Sequence, residues 1–149
     1  MNIIVIGTGG QGILTLVYNL TKYLTSKNQN IKTTLEHTLA KRGGYVAGHI
    51  KTGRAIYSPF VSHGDADLVL SLEPLETLRF AKYFSNKTNI IVVNKPEYQP
   101  TNYLYKQSYP SFKKIESDLK KITKNVTILE PKGWINDQIL NYIRQKNLV

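Results

Sequence analysis

The 149 residues are about the length of one ordinary domain and can bury a real hydrophobic core; 41% are hydrophobic and 20% charged, a globular balance rather than that of a disordered tail. Cysteine is absent, which excludes a disulfide framework, thiolate-held iron–sulfur clusters, a CxxC redox pair and a cysteine nucleophile within these residues. The net charge of +10 comes from lysines spread along the chain, with modest doublets at Lys113-Lys114 and Lys120-Lys121. That distribution fits a solvated surface or an acidic partner better than a nucleic-acid reader, which would need a recognition helix or a long basic block.

Ile3 to Ile6 is an all-apolar run, as expected of a strand covered on both faces. It leads into Gly7-Thr8-Gly9-Gly10-Gln11-Gly12. Ile13, Leu16, Val17, Leu20 and Leu24 then recur at helical spacing, and Asn28-Gln29-Asn30 closes that helix. Ile31 to Glu36 is β-branched and predicts a second strand. His37 to Gly44 reads as a basic loop ending in two glycines. Tyr45 to Ile50 and Ala55 to Phe60 suggest an inserted β-hairpin turning at Thr52-Gly53.

After His63-Gly64-Asp65 the alternation of strands and helices resumes. Leu68 to Leu72 is a buried strand, and Glu73-Pro74-Leu75-Glu76 opens a helix with proline and acid where the helix start favours them. Ile90 to Val93 is another strand, followed by a long tyrosine-rich connection from Pro96 to Pro110. Ser111 can cap a helix striped by Phe112, Ile115, Leu119 and Ile122. Val126 to Leu129 is the last strand and Trp134 to Lys146 the last helix. The expectation is an α/β, Rossmann-like, mostly parallel sheet flanked by helices, with the hairpin inserted, as a single domain over residues 1–149. No signal peptide precedes the first strand and no apolar run approaches about 18 residues, so a cytoplasmic setting without a membrane partner is expected.

Gly7, Gly9 and Gly12 satisfy G-x-G-x-x-G between a strand and a helix, the context in which glycines let an anion approach backbone N–H groups at a helix start. Glu36, ending the second strand, is an acid that could accept hydrogen bonds from a ribose. Taken alone this predicts dinucleotide binding; the plain alternative is that the glycines only pack strand against helix. A P-loop is excluded, because Ile13 stands where Lys would follow Gly12. His37, Lys41 and Arg42 form either an anion or partner-docking site or a solvated loop. His49 and His63 read as a strand-face and a turn histidine, and three separated histidines without clustered carboxylates predict no metal site.

The motifs Gly7-Thr8-Gly9-Gly10-Gln11-Gly12-Ile13, Glu36-His37 with Lys41-Arg42-Gly43-Gly44, Tyr57-Ser58-Pro59, Ala66-Asp67-Leu68 and Leu72-Glu73-Pro74-Leu75-Glu76 follow one another in that order. In order and spacing they resemble the gamma subunit or gamma domain of the 2-oxoacid:ferredoxin oxidoreductases, including the small subunit of indolepyruvate ferredoxin oxidoreductase. The resemblance covers roughly residues 3 to 95 and implies a non-catalytic subunit of an enzyme that oxidatively decarboxylates a 2-oxoacid such as pyruvate or indolepyruvate. Electrons pass to ferredoxin, which this subunit would meet only indirectly. Thiamine diphosphate and iron–sulfur clusters are then expected in partner catalytic subunits, with none bound by this chain alone and coenzyme A as a further acceptor. It also implies that Gly7, Gly9, Gly10, Gln11 and Gly12, with His37, Arg42, Gly43 and Gly44, shape a cleft facing the catalytic subunit and touch an anionic group. Glu36 and Lys41 join that set as cofactor-binding candidates.

Thr38-Leu39 and Lys41 depart from the family's usual residues, and the region after the last strand is shortened to Pro131-Lys132-Gly133-Trp134 and one helix. Two other readings stay open on the residues themselves: a free-standing NAD(P)-binding oxidoreductase, and a basic docking module without catalysis.

Overall fold

A computed structural model describes residues 1–27, 29–38, 44–94 and 109–149. Asn28, the loop residues Leu39, Ala40, Lys41, Arg42 and Gly43, and most of the tyrosine-rich connection (95–108) lie outside the described residues. The strands are β1 (Asn2–Thr8), β2 (Ile31–His37), β3 (Tyr45–Thr52), β4 (Leu68–Ser71), β5 (Asn89–Val93) and β6 (Val126–Leu129). The helices are α1 (Ile13–Thr25), α2 (Pro74–Arg79), α3 (Phe112–Ile122) and α4 (Ile135–Gln145), with a 3₁₀ turn at Ala81–Tyr83.

The sheet runs β2-β3-β1-β4-β5-β6. β1, β4, β5 and β6 pair parallel, whereas β3 is antiparallel to both β1 and β2. β3 is thus the one reversed strand, and the fold is α/β with a mixed sheet. Side chains alternate across the central strands. Ile3 and Val5 join Leu16, Leu20, Leu24, Ile139 and Ile143 beneath α1 and α4. Ile4 and Ile6 join Val69, Leu75, Phe80, Ile115 and Leu119 on the face covered by α2 and α3. Burying each of these large apolar groups stabilises the fold by about 1.5–3 kcal/mol.

The sequence places the elements well but misplaces the hairpin. Residues 55–60 form no strand; β3 instead pairs back onto β2. The reason is that β3 uses one edge for β1 and the other for β2, so no edge is left for the following segment. Pro59 further removes a ladder donor. The segment crosses the sheet face instead, where Phe60 packs edge-on against the His49 ring at 5.4 Å.

β3 lies close under α1, and the approach depends on Gly48. A Cβ there would stand 2.3 Å from Cγ2 of Val17 and 3.4 Å from Cδ2 of Leu35. Gly48→Ala is expected to lower the unfolding free energy by about 1–3 kcal/mol through overpacking, read by urea denaturation. Adding Val17→Ala to that variant should recover part of the loss, and an unchanged midpoint for Gly48→Ala alone would refute the close approach.

Candidate functional site

The parallel strands end together on one edge of the sheet, and the Gly-rich turn sits there. Gly10 and Gly12 hold positive φ values of 93° and 81°, a backbone region that favours glycine. Gly7 allows the turn to fold back on itself: a Cβ there would lie 2.5 Å from Cδ1 of Ile13 and 2.6 Å from Oε1 of Gln11. That oxygen accepts the Thr8 N–H at 2.8 Å, so Gln11 locks the loop from inside. The Gln11 N–H in turn donates to the Thr8 carbonyl at 3.2 Å, and the Gly9 N–H donates to the Gly44 carbonyl at 3.1 Å.

The last bond is informative. It ties the end of the glycine-terminated loop to the Gly-rich turn, so Gly7, Gly9, Gly10, Gln11, Gly12 and Gly44 form one neighbourhood across the β1–β3 ladder. His37 ends β2 and is exposed, its Nδ1 3.3 Å from the Thr38 carbonyl oxygen.

Glu36 belongs elsewhere. Because β3 stands between β1 and β2, Glu36 is two strands from the turn, about 10 Å at ordinary strand spacing. Its carboxylate lies 3.3 Å from Nε2 of the fully buried His49, on the face opposite α1. His49 Nδ1 accepts the Val61 N–H at 3.2 Å, which places the ring proton on Nε2, donating to Glu36. His49 thereby joins β2, β3 and the segment before β4. His63 stands in its turn, edge-on to Tyr83 at 5.1 Å.

A cleft of about 620 Å³ opens beside the turn, walled by Gly10, Gln11, Gly12, the ends of β4 and β5 at Leu72 and Val93, and the start of α4 from Pro131 to Asp137. The starts of α1 and α4 both meet it, and neither carries a side-chain cap. Asn136 Nδ2 donates to the Gly12 carbonyl at 3.2 Å, fastening α4 to the turn. Gln11 Nε2 and Asn136 Oδ1 are buried without a hydrogen-bond partner among the described residues. A buried orphan polar atom is costly, so both atoms favour a polar ligand or water. Nothing stands within 4 Å of a Cβ built at Gly9 or Gly10, which leaves that stretch of backbone open. Trp134 stands at the rim with 84% of its surface exposed.

The sequence signalled a helix start at Glu73-Pro74-Leu75-Glu76 but not the burial of its acids. Glu73 and Glu76 are 1% and 0% exposed. Glu73 caps α2 by accepting the Glu76 N–H at 2.7 Å and also accepts the Tyr109 hydroxyl at 2.5 Å. Glu76 pairs with Arg79 at 2.6 Å. The available signal was the largely apolar stretch from Leu68 to Leu75, which encloses Glu73 and ends beside Glu76. Burial pushes both carboxyls above the usual glutamate range. For Glu73 the bonds from Tyr109 and the Glu76 N–H and the charge of Arg79 oppose this; for Glu76, Arg79 opposes it and Glu73 reinforces it. Burial, then the charges of Glu36 and Glu76, also raises the Tyr45 phenol.

A Gly-rich strand–turn–helix on the carboxyl edge of an α/β sheet defines a Rossmann-like class of domain. Residues 2–143 match the family described as pyruvate ferredoxin/flavodoxin oxidoreductase, and the chain belongs to that family. It is 33% identical over 126 residues to indolepyruvate oxidoreductase subunit IorB of Archaeoglobus fulgidus, covering 85% of this chain and 62% of the relative. To the subunit of the same name from Pyrococcus horikoshii it is 31% identical over 116 residues, covering 77% of this chain and 57% of the relative. The chain therefore spans about three-fifths of the length of these relatives. The crystal structure of pyruvate oxidoreductase subunit PORC from Thermotoga maritima shares the fold with a TM-score of 0.62 at 16% identity, covering 100% of this chain and 78% of that one. No described helix is long and apolar enough to cross a membrane.

The raised carboxyls predict a pH effect of definite sign. The folded state holds protons on Glu73 and Glu76 more tightly than the unfolded chain. Their contribution is therefore fully present below the ordinary glutamate value. It is lost as pH rises from there through the raised folded values, and is flat above them. Glu76→Gln is expected to flatten this decline relative to the unsubstituted chain, measured by denaturant unfolding across the acidic range; a steeper decline in the variant would contradict the assignment.

Proposed function

We propose that this chain is a non-catalytic, gamma-type subunit of a 2-oxoacid:ferredoxin oxidoreductase, with indolepyruvate or a related aryl 2-oxoacid as the substrate of the assembled enzyme. The observation that carries this reading is the family match over residues 2–143, and the names of the IorB relatives support the substrate class. These residues contain no cysteine, so thiolate-held iron–sulfur clusters belong to partner subunits in this reading. Thiamine diphosphate, which supplies the carbanion chemistry of decarboxylation, belongs there too.

In this reading the chain's own part is binding and orientation. The cleft beside the Gly-rich turn faces the catalytic subunit. Open backbone at Gly9 and Gly10, the uncapped start of α1 and the unpaired Gln11 Nε2 donor suit an anionic, hydrogen-bonding group such as the phosphates of coenzyme A, while Asn136 Oδ1, an acceptor, suits a water or a hydroxyl donor beside it. Trp134 at the rim supplies an exposed aromatic anchor. The displacement of Glu36 from the turn weighs against an NAD-type ribose contact.

Affinity capture from the native host, with thiamine and iron assays on the eluate, tests the proposal. A co-eluting chain carrying both cofactors, and 2-oxoacid-dependent dye reduction only in the complex, are expected. Trp134→Ala should weaken the complex about tenfold while the chain stays folded. Isolation of the chain alone, without cofactors and without 2-oxoacid oxidation in any fraction containing it, would overturn the reading.

A further inference from the structure

β2 is an outer strand of the sheet, paired among the described residues with β3 alone. An outer strand leaves half of its backbone donors and acceptors open. Which half is open follows from the ladder. The Thr38 N–H donates to the Tyr45 carbonyl, and the Gly53 N–H donates to the Asn30 carbonyl, each at 3.2 Å. Antiparallel pairs alternate along a ladder, so the even-numbered residues of β2 bond inward to β3. Ile31, Thr33, Leu35 and His37 therefore present their N–H and C=O groups outward.

We propose that the outer edge of β2 joins the same edge of a second copy of this chain, antiparallel about a two-fold axis at Thr34. In that register Thr33 faces the partner's Leu35 position and Ile31 its His37 position, so every outward backbone group has a mate. Lys32 then faces Glu36 of the other copy, and Glu36 faces Lys32, at non-hydrogen-bonded positions where opposed side chains come closest. Lys32 is exposed and Glu36 is half-buried, and both lie on one face of β2 by the two-residue alternation. A slip of two residues sets Lys32 against Thr34 or Thr38 and loses both ion pairs; a slip of one breaks the hydrogen-bond alternation. The charges thus select one register, and a second copy of the same strand supplies the complement.

The other face adds apolar area. Leu35 is 38% exposed and neighbours Val17 of α1. Leu14 and Tyr18, 63% and 66% exposed, lie beyond Val17 on the same flank of α1. Half of the large hydrophobic groups that stand exposed among the described residues are therefore Leu14, Tyr18 and Leu35, on this border of the molecule. The two-fold axis brings each set to its counterpart, as an isologous interface requires.

The arrangement goes beyond the subunit reading, since it concerns two copies of this chain. It is tested by sedimentation of the purified chain over a range of concentrations, alone and with charge variants. The unsubstituted chain is expected to be dimeric. Lys32→Glu should weaken the dimer at least tenfold, and the Lys32→Glu, Glu36→Lys double variant should restore it. Because Glu36 also meets His49, a second disruption uses Thr33→Pro, which removes an outward N–H and no bond to β3. That variant should be monomeric with an unchanged circular dichroism spectrum. A chain monomeric at every concentration overturns the proposal, as does a dimer indifferent to both Lys32→Glu and Thr33→Pro. A dimer weakened by Lys32→Glu but not restored by the double variant would equally rule out the Lys32–Glu36 register.

Discussion

The insertion of β3 between β1 and β2 governs much of this architecture. In a sheet of uninterrupted strand–helix–strand units, β2 would lie beside β1 and its end would reach the Gly-rich turn. Here the chain leaves α1, forms β2 at the border and doubles back along β1. The reversed strand is tolerated because Gly48 presents no side chain to Val17. It also delivers Gly44 to the Gly-rich turn, where its carbonyl receives the Gly9 N–H. One packing contact between a strand and a helix thus underlies both the position of Glu36 and the assembly of the turn's neighbourhood.

How much of this was legible in the sequence varies with the distance over which it is decided. β1, α1, β4, β5, α3, β6 and α4 were readable because each is set by local periodicity, and Ser111 caps α3 as its position suggests. Strand order is different in kind. Tyr45 to Thr52 has the residues of a strand, but nothing local says that both its edges are taken. The local pattern therefore points to a hairpin with Ala55–Phe60, whereas the partner lies upstream in β2. The distance of Glu36 from the turn is hidden for the same reason, since the place of an acid at a strand end is fixed only once the neighbouring strand is known. Glu73 and Glu76 were read as acids favouring a helix start; their burial depends on Tyr109 and on α3, far along the chain.

The cleft follows a general property of α/β sheets, in which loops at the carboxyl edge carry the variable chemistry while strands hold them. What distinguishes this one is how many turn groups are internally engaged. Thr8 N, Gly9 N and Gln11 N each have a partner within the chain, whereas Gln11 Nε2 and Asn136 Oδ1 do not. The polarity left for a ligand is therefore largely neutral amide, with the α1 start supplying partial positive charge. Such a site suits a group held by orientation more than by ion pairing.

The bond between Asn136 and the Gly12 carbonyl joins residues 124 positions apart and closes one wall of the cleft. It has a temporal meaning during synthesis. The Gly-rich turn leaves the ribosome before α4, and the wall opposite it does not exist until α4 has been made and docked. Loops closed over such spans are slow to form relative to local helices and hairpins, because the entropy of closure comes before the contact. The half of the core beneath α1 and α4 must therefore wait for the end of this stretch of chain, with Leu16 and Leu20 only partly covered until then. The face built by α2 and α3 has its buried core residues by Leu119, so the two sides of one sheet mature at different moments.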